Sequence, residues 1–88
     1  MDIREILKNG DICELKYYEG ITFGLYMDGY LYKNQDNDVM CQIGGFEPMV
    51  IRVMRPSSMR NAFELFRYAD NYNWSYKEYG QFDVAYEK

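Results

Sequence analysis

The dipeptide Asp28-Gly29, set between the alternating run ITFGLYM and the run YLYK, constrains this chain more than any other feature. A two-residue type I′ turn needs positive φ at both central positions, and Asp-Gly tolerates that at little steric cost. Residues Ile21–Met27 and Tyr30–Lys33 are therefore expected as a hairpin. Upstream, DICELKYY alternates Cys13, Leu15 and Tyr17 with Glu14 and Lys16, which is the period of a half-buried strand, and Glu19-Gly20 supplies a tight turn into ITFGLYM. Downstream, the polar run NQDND is a loop. VMCQI is a further strand, Gly44-Gly45 a break, and MVIRVM another strand that Pro56 ends.

Helical periodicity is clear once. Met59, Ala62, Phe63 and Phe66 recur at i, i+3, i+4 and i+7, with Arg60, Glu64 and Arg67 on the other face, predicting a helix over about residues 58–70. Ser57 or Ser58 is a suitable N-cap, and Pro56 sits where a helix can begin. A short helical turn over residues 2–9, closed by Asn9-Gly10, is expected as a lid. The tail NWSYKEYGQFDVAYEK reads as a hairpin about Gly80-Gln81, with Trp74 and Tyr76 facing Phe82, Val84 and Tyr86; a second helix is the weaker reading. The pattern predicts an α+β fold: a small antiparallel β-sheet or SH3-like barrel of five to seven short strands packed with one α-helix.

Size narrows the function classes. A chain of 88 residues makes a single domain, 1–88, and buries only about 60 to 65% of the surface that its unfolded form exposes. The N-terminal MDIREILKNGD is too charged for a signal peptide and too short for a membrane span, so a cytoplasmic protein of the host cell with no membrane partner is expected. Cys13 and Cys41 each lie in an apolar run, as reduced core thiols do. The sequon Asn73-Trp74-Ser75 has no meaning without secretion.

Chemistry is sparse. Histidine is absent, which removes the commonest general base and metal ligand. Asn34, Asp36 and Asp38 have the first spacings of a calcium loop, but Val39 stands where glycine is needed and Gly45 where a bidentate Glu is needed. Gly44 and Gly45 lack the Lys-Ser/Thr that completes a phosphate loop. No catalytic residue, metal or cofactor is assigned, and a non-enzymatic protein is expected.

Two features suggest partners. In an acidic chain of net charge −4, residues 52–67 hold Arg52, Arg55, Arg60 and Arg67 against Glu64, a local +3 that leaves −7 for the rest. Around the helix start, Arg52, Arg55, Ser57, Ser58 and Arg60 are candidates for an anion site that would take a nucleotide or signalling molecule, because free amides and the helix dipole favour an anion there. The alternative is that the arginines pair with the protein's own carboxylates and the serines only cap. The second feature is ten tyrosines, more than a core of this size absorbs. Tyrosine gives large contact area for little entropy loss. An acidic, tyrosine-bearing face built from Tyr30, Tyr32, Asp36, Asp38 and Glu47 suits a basic partner protein, including one built for nucleic acid. Direct nucleic-acid binding is disfavoured by net charge.

The opening ILKNGDICELKYYEG resembles the start of small proteins encoded by phages and mobile elements of low-GC bacteria, where a leader "LKNGD" runs into an SH3-like strand. VIRVMRP, residues 50–56, is similar to their later "IVRVYRP" strand, with Met54 in place of an aromatic, and the lone Trp74 falls near the C-terminus as theirs often does. The resemblance implies a viral context and an SH3-like barrel, and carries over no catalytic residue. Phage proteins of this size and acidity often antagonise host defence, as anti-CRISPR proteins do. A host protein, such as a nucleic-acid-handling defence complex, is thus the expected partner. A small structural virion protein, visible as a homo-oligomer, is a further alternative.

Overall fold

The structure is a computed structural model and describes residues 2–17, 20–35, 39–71 and 82–88. Its elements are α1 (Ile3–Ile6), β1 (Ile12–Tyr17), β2 (Gly20–Met27), β3 (Tyr30–Gln35), β4 (Val39–Ile43), a 3-10 turn (Glu47–Met49), β5 (Val50–Pro56), α2 (Met59–Asn71) and β6 (Phe82–Glu87). The six strands form one antiparallel sheet in the order β4-β3-β2-β1-β5-β6. The sheet is open, with β4 and β6 at its edges, so of the two architectures expected from the sequence it is the open sheet on one main helix that forms, not the closed barrel. No helix among the described residues is long and apolar enough to cross a membrane.

Local chemistry sets the hairpins. Asp28 and Gly29 both have positive φ, 49° and 90°, as the primed turn requires. Asn9 clamps that turn: its Nδ2 donates to Asp28 Oδ1 at 2.9 Å, and the Asp28 amide donates to Asn9 Oδ1 at 2.8 Å. Gly24 is required by space, because a Cβ there would come within 2.6 Å of Leu31 Cγ. The first arm and turn of the expected tail hairpin fall on residues 72–81, outside the described residues, and the described part of the tail is β6. β6 lies against β5, with Arg52 opposite Glu87 and Arg55 opposite Asp83, whereas Trp74, Tyr76, Gly80 and Gln81 lie outside the described residues.

Strand alternation divides the core between two sides of the sheet. Ile12, Phe23, Leu25 and Met54 meet Ala62, Leu65 and Phe66 of α2. On the other side Cys13, Leu15, Leu31, Val50 and Val53 meet Ile3 and Leu7 of the N-terminal segment and Phe46, the residue that precedes the 3-10 turn. α1 is therefore a cover for the second core, as the lid reading anticipates. Phe46 is fully buried and meets Tyr26 edge to face at 6.5 Å between ring centroids. The Gly44-Gly45 break is what returns it: Gly45 has φ 62°, a bend that glycine accepts.

Asp11 and Arg55 join the N-terminal segment to β5. Asp11 is 1% exposed, and its carboxylate accepts from Arg55 Nε at 3.0 Å, Arg55 Nη2 at 2.8 Å and the Lys8 amide at 2.9 Å. The same Nη2 donates to the Ile6 carbonyl at 2.8 Å, near the end of α1. A buried carboxylate is tolerated only when paired and hydrogen-bonded, and the planar guanidinium satisfies it with two parallel bonds. Arg55→Ala strands that carboxylate and is expected to lower unfolding free energy by about 3 kcal/mol, the low end for a broken buried pair because Arg55 itself is a third exposed. Urea unfolding checks the value. Gly24→Ala is expected to cost about 1–3 kcal/mol by overpacking against Leu31 in the same assay, while an exposed glycine such as Gly44, with open space at its Cβ position, tolerates the change far better.

Candidate binding faces

The arginine-rich segment does not assemble into one site. Register places Arg52 opposite Glu14 and Met54 opposite Ile12, so Arg52 lies on the α2 side of the sheet and Arg55, an odd number of residues away, on the other. Arg52 is held between Glu14 at 3.5 Å and Glu87 at 3.0 Å, bridging β1 and β6. Arg55 is held by Asp11, which raises its pKa further: the hydrogen bonds from Asp11 dominate, its charge adds, and burial opposes. Ser58 Oγ accepts the Asn61 amide at 3.1 Å as a helix cap, and Ser57 Oγ lies 2.7 Å from Asn61 Nδ2. Arg60 points to solvent with its side chain 89% exposed, beside Glu64 at 3.6 Å. Arg55, Ser57 and Ser58, with Lys8 and Met59, do border a depression of about 210 Å³, but Arg52 and Arg60 do not line it. The five-residue anion cluster expected from the sequence is thus taken apart by strand alternation and by pairing within the fold.

The tyrosine face is partly assembled. Tyr30 and Tyr32 lie on one face of β3, their ring centroids 6.5 Å apart and tilted by 58°. Register puts them on the α2 side of the sheet, opposite Met27 and Leu25, yet α2 packs over β2, β1 and β5, so β3 and β4 extend past the helix. Tyr30 is consequently 54% exposed. Tyr32 is half-buried, its hydroxyl 3.5 Å from Gln42 Nε2 on β4. Tyr30 also borders a depression of about 450 Å³ with Arg4, Gly29, Gln42, Gly44 and Phe46. Asp36 and Asp38, the acidic members of the expected face, lie outside the described residues, while Asn34 and Gln35, expected as the start of the loop, instead end β3 by pairing with Met40 and Val39.

Glu47 stands apart from the tyrosines, in the 3-10 turn. Its carboxylate accepts from Arg4 Nε; Arg4 Nη1 donates to the Gly29 carbonyl at 3.0 Å, and the guanidinium sits 5.0 Å from the Phe46 ring centroid. Sequence reading missed Arg4, because a lone arginine in a four-residue helix carries no pattern. Its position ties α1 to the β2–β3 turn and to the 3-10 turn, and it forms a wall of the larger depression. The Glu47 carboxyl is held below the ordinary carboxylate range, first by its own backbone amide and then by Arg4. A depressed folded pKa means that the tie is complete above the ordinary range and is lost as pH falls through the lowered value. In a carboxyl NMR titration Glu47 is expected to titrate below an ordinary exposed glutamate, and Arg4→Gln to move it part of the way back.

Both thiols are free. Cys13 is fully buried and burial, reinforced by Asp11, pushes its pKa up to about 12. Cys41, expected in the core, is only half-buried because β4 is an edge strand. A thiol-exchange reagent is expected to titrate Cys41 alone in the native protein and both cysteines in denaturant, since the thiolate is the reacting form.

Among the described residues no three Cys, Asp or Glu side chains converge as a metal-binding group. Comparisons with protein-family models, curated proteins and solved structures find no match to this chain.

Proposed function

We propose that this protein is a non-enzymatic binding module, encoded by a phage or prophage, that antagonises or modulates a host protein through the exposed tyrosine wing of its sheet. The observation that carries the binding reading is Tyr30, a large aromatic side chain 54% exposed on a face that the helix leaves uncovered, next to Tyr32 and above a depression of about 450 Å³. A rigid aromatic pair beside a concavity is the form that interface anchors take. The −7 balance outside residues 52–67 favours a basic partner surface, such as one that handles nucleic acid in a defence complex. The phage context rests on the resemblance of ILKNGDICELKYYEG and VIRVMRP, and the antagonist role is an analogy from that context.

The structure changes how the face is drawn. Glu47 is engaged by Arg4, which lines the depression, so we take the recognition elements to be Tyr30 and Tyr32 with the acidic Asp36 and Asp38 that follow β3 in the chain. Sequestration of a nucleotide at Arg52, Arg55, Ser57, Ser58 and Arg60 has less support, because the two strand arginines already hold internal carboxylates on opposite sides of the sheet.

The test is affinity capture from a lysate of a low-GC bacterium, comparing wild type with Tyr30→Ala/Tyr32→Ala and with Asp36→Lys/Asp38→Lys. A stoichiometric host protein retained by wild type and lost by at least about tenfold in either variant is the expected result, the scale of losing a hot-spot aromatic pair or reversing complementary charge. Capture that both variants leave intact would place the interface elsewhere.

A further inference from the structure

Among the described residues no strand lies beyond β4, and the register shows where its backbone points. Tyr26 turns both main-chain groups away from β3: its amide donates to the Asp11 carbonyl at 2.8 Å, and its carbonyl accepts from the Gly10 amide at 2.9 Å. In an antiparallel pair, opposed residues alternate between exchanging hydrogen bonds with each other and turning their groups the other way. Leu31, opposite Tyr26, therefore turns toward β4 and exchanges bonds with Ile43. By the same alternation Cys41 and Val39 face β3, while Met40 and Gln42 hold their amides and carbonyls out past the sheet edge. β4 reads VMCQI, with neither charge nor proline to blunt that edge. The other edge is guarded. β6 carries Asp83 and Glu87, and its ladder with β5 is interrupted by a register shift.

From this we infer that β4 is a contact between two copies of this chain, paired antiparallel about a two-fold axis at Cys41, the middle residue of the strand. Centred there, Met40 of each copy exchanges backbone hydrogen bonds with Gln42 of the other, so every outward group of the two residues is used. Cys41 then faces its own copy as a non-hydrogen-bonded pair, with Cα atoms about 4.5 Å apart, a separation that a disulfide spans. Charge selects this occupant. A neutral edge gives an acidic or basic segment nothing to pair with and suits an edge equally free of charge, and of the two edges described only β4 is one. Antiparallel entry also brings the acids Asp36 and Asp38, which precede β4 in the sequence, to opposite ends of the paired strands. Pairing β4 with β6 would instead be heterologous and would continue as a fibre, which the charged and irregular β6 opposes. Five residues per copy are far fewer than the roughly 20–30 a side of a stable interface, so the dimer is weak and forms as concentration rises. The axis runs normal to the sheet and keeps like faces on one side. Tyr30 and Tyr32 of both copies therefore share the uncovered span between the two α2 helices. The inference rests on the backbone of β4 and not on the tyrosine reading above.

The test is sedimentation of the full chain under reducing conditions, from about 10 μM to about 1 mM, the range in which weak association registers. A monomer–dimer equilibrium that stops at two copies is expected. Gln42→Pro deletes one outward amide per copy at an edge position where proline is tolerated, and is expected to weaken the dimer at least about tenfold, the scale of two lost hydrogen bonds. Gln42→Glu, nearly isosteric, sets like charges on diagonal neighbours of the paired strands and is expected to weaken it as well. Circular dichroism and urea midpoints certify the fold of each variant. Diamide, which takes up the two electrons and two protons released by a pair of thiols, is then expected to link Cys41 to Cys41 between copies, as peptide mass spectrometry reads, and to do so at least about tenfold more slowly in the Gln42 variants. The proposal is overturned if the chain stays monomeric at about 1 mM, whether or not it takes up an unrelated extended peptide. It is equally overturned if assembly continues past the dimer, or if a folded Gln42 variant dimerises and cross-links as wild type does.

Discussion

The Asp11–Arg55 pair is the constraint on which the rest of the structure depends. One end of the chain contributes Lys8 and Asp11, the middle contributes Arg55, and a single guanidinium also takes the carbonyl of Ile6. Asp11 immediately precedes β1, and Arg55 lies near the end of β5, next to the turn into α2. Because the two strands are neighbours in the sheet, the pair fixes the register of a contact between residues 44 positions apart. Such a long closure is entropically costly and gains nothing until both ends meet. A buried charge that is satisfied in only one register penalises the slipped alternatives, in which hydrophobic burial alone would discriminate less.

That register determines which faces remain exposed. With β5 against β1, the turn at Ser57-Ser58 launches α2 across β5, β1 and β2. The helix is narrower than a six-stranded sheet, and strands lie about 4.8 Å apart, so the β3–β4 wing is left beyond it. Tyr30 is exposed for this reason and not because tyrosine prefers water. The opposite side is closed differently, by α1 and by Phe46, and Arg4 ties those covers to the Asp28-Gly29 turn. Exposed faces here are consequences of how far each cover reaches.

Most of the elements were legible because they rest on local chemistry. Asp28-Gly29 forms the primed turn, the alternation in ICELKY and GITFGLYM marks two strands, and Met59–Phe66 spacing marks α2 within a residue or so of its observed start. The pairing β1–β5 was not legible, since nothing in two separated apolar runs states which neighbour each will choose. Nor was the role of Asp11, which reads as an ordinary polar residue after Asn9-Gly10 until Arg55 reaches it. One error was avoidable. Arg52 and Arg55 differ by three positions on a strand, and a period of two puts them on opposite faces, so a shared anion site needed a bulge between them on the β1 side that the register does not contain. Cys41 misled for a related reason: an apolar alternation locates a strand but does not say whether it lies at the edge.

The five arginines divide by what they touch. Arg4, Arg52 and Arg55 each hold a carboxylate from a different part of the chain, across 43, 38 or 35, and 44 positions respectively. Each therefore acts as a long-range staple, and its charge is cancelled where it lies. Arg60 and Arg67 share their helix with two acids, Glu64 and Asp70, and a helix surface offers i,i+4 contacts that are weak in water. Both stay exposed to solvent. Net charge alone would assign this protein basic partners only. Separating the arginines by what they touch instead distinguishes long-range staples from solvent-facing charges, and the division follows from strand alternation on β5 against the helical period of α2.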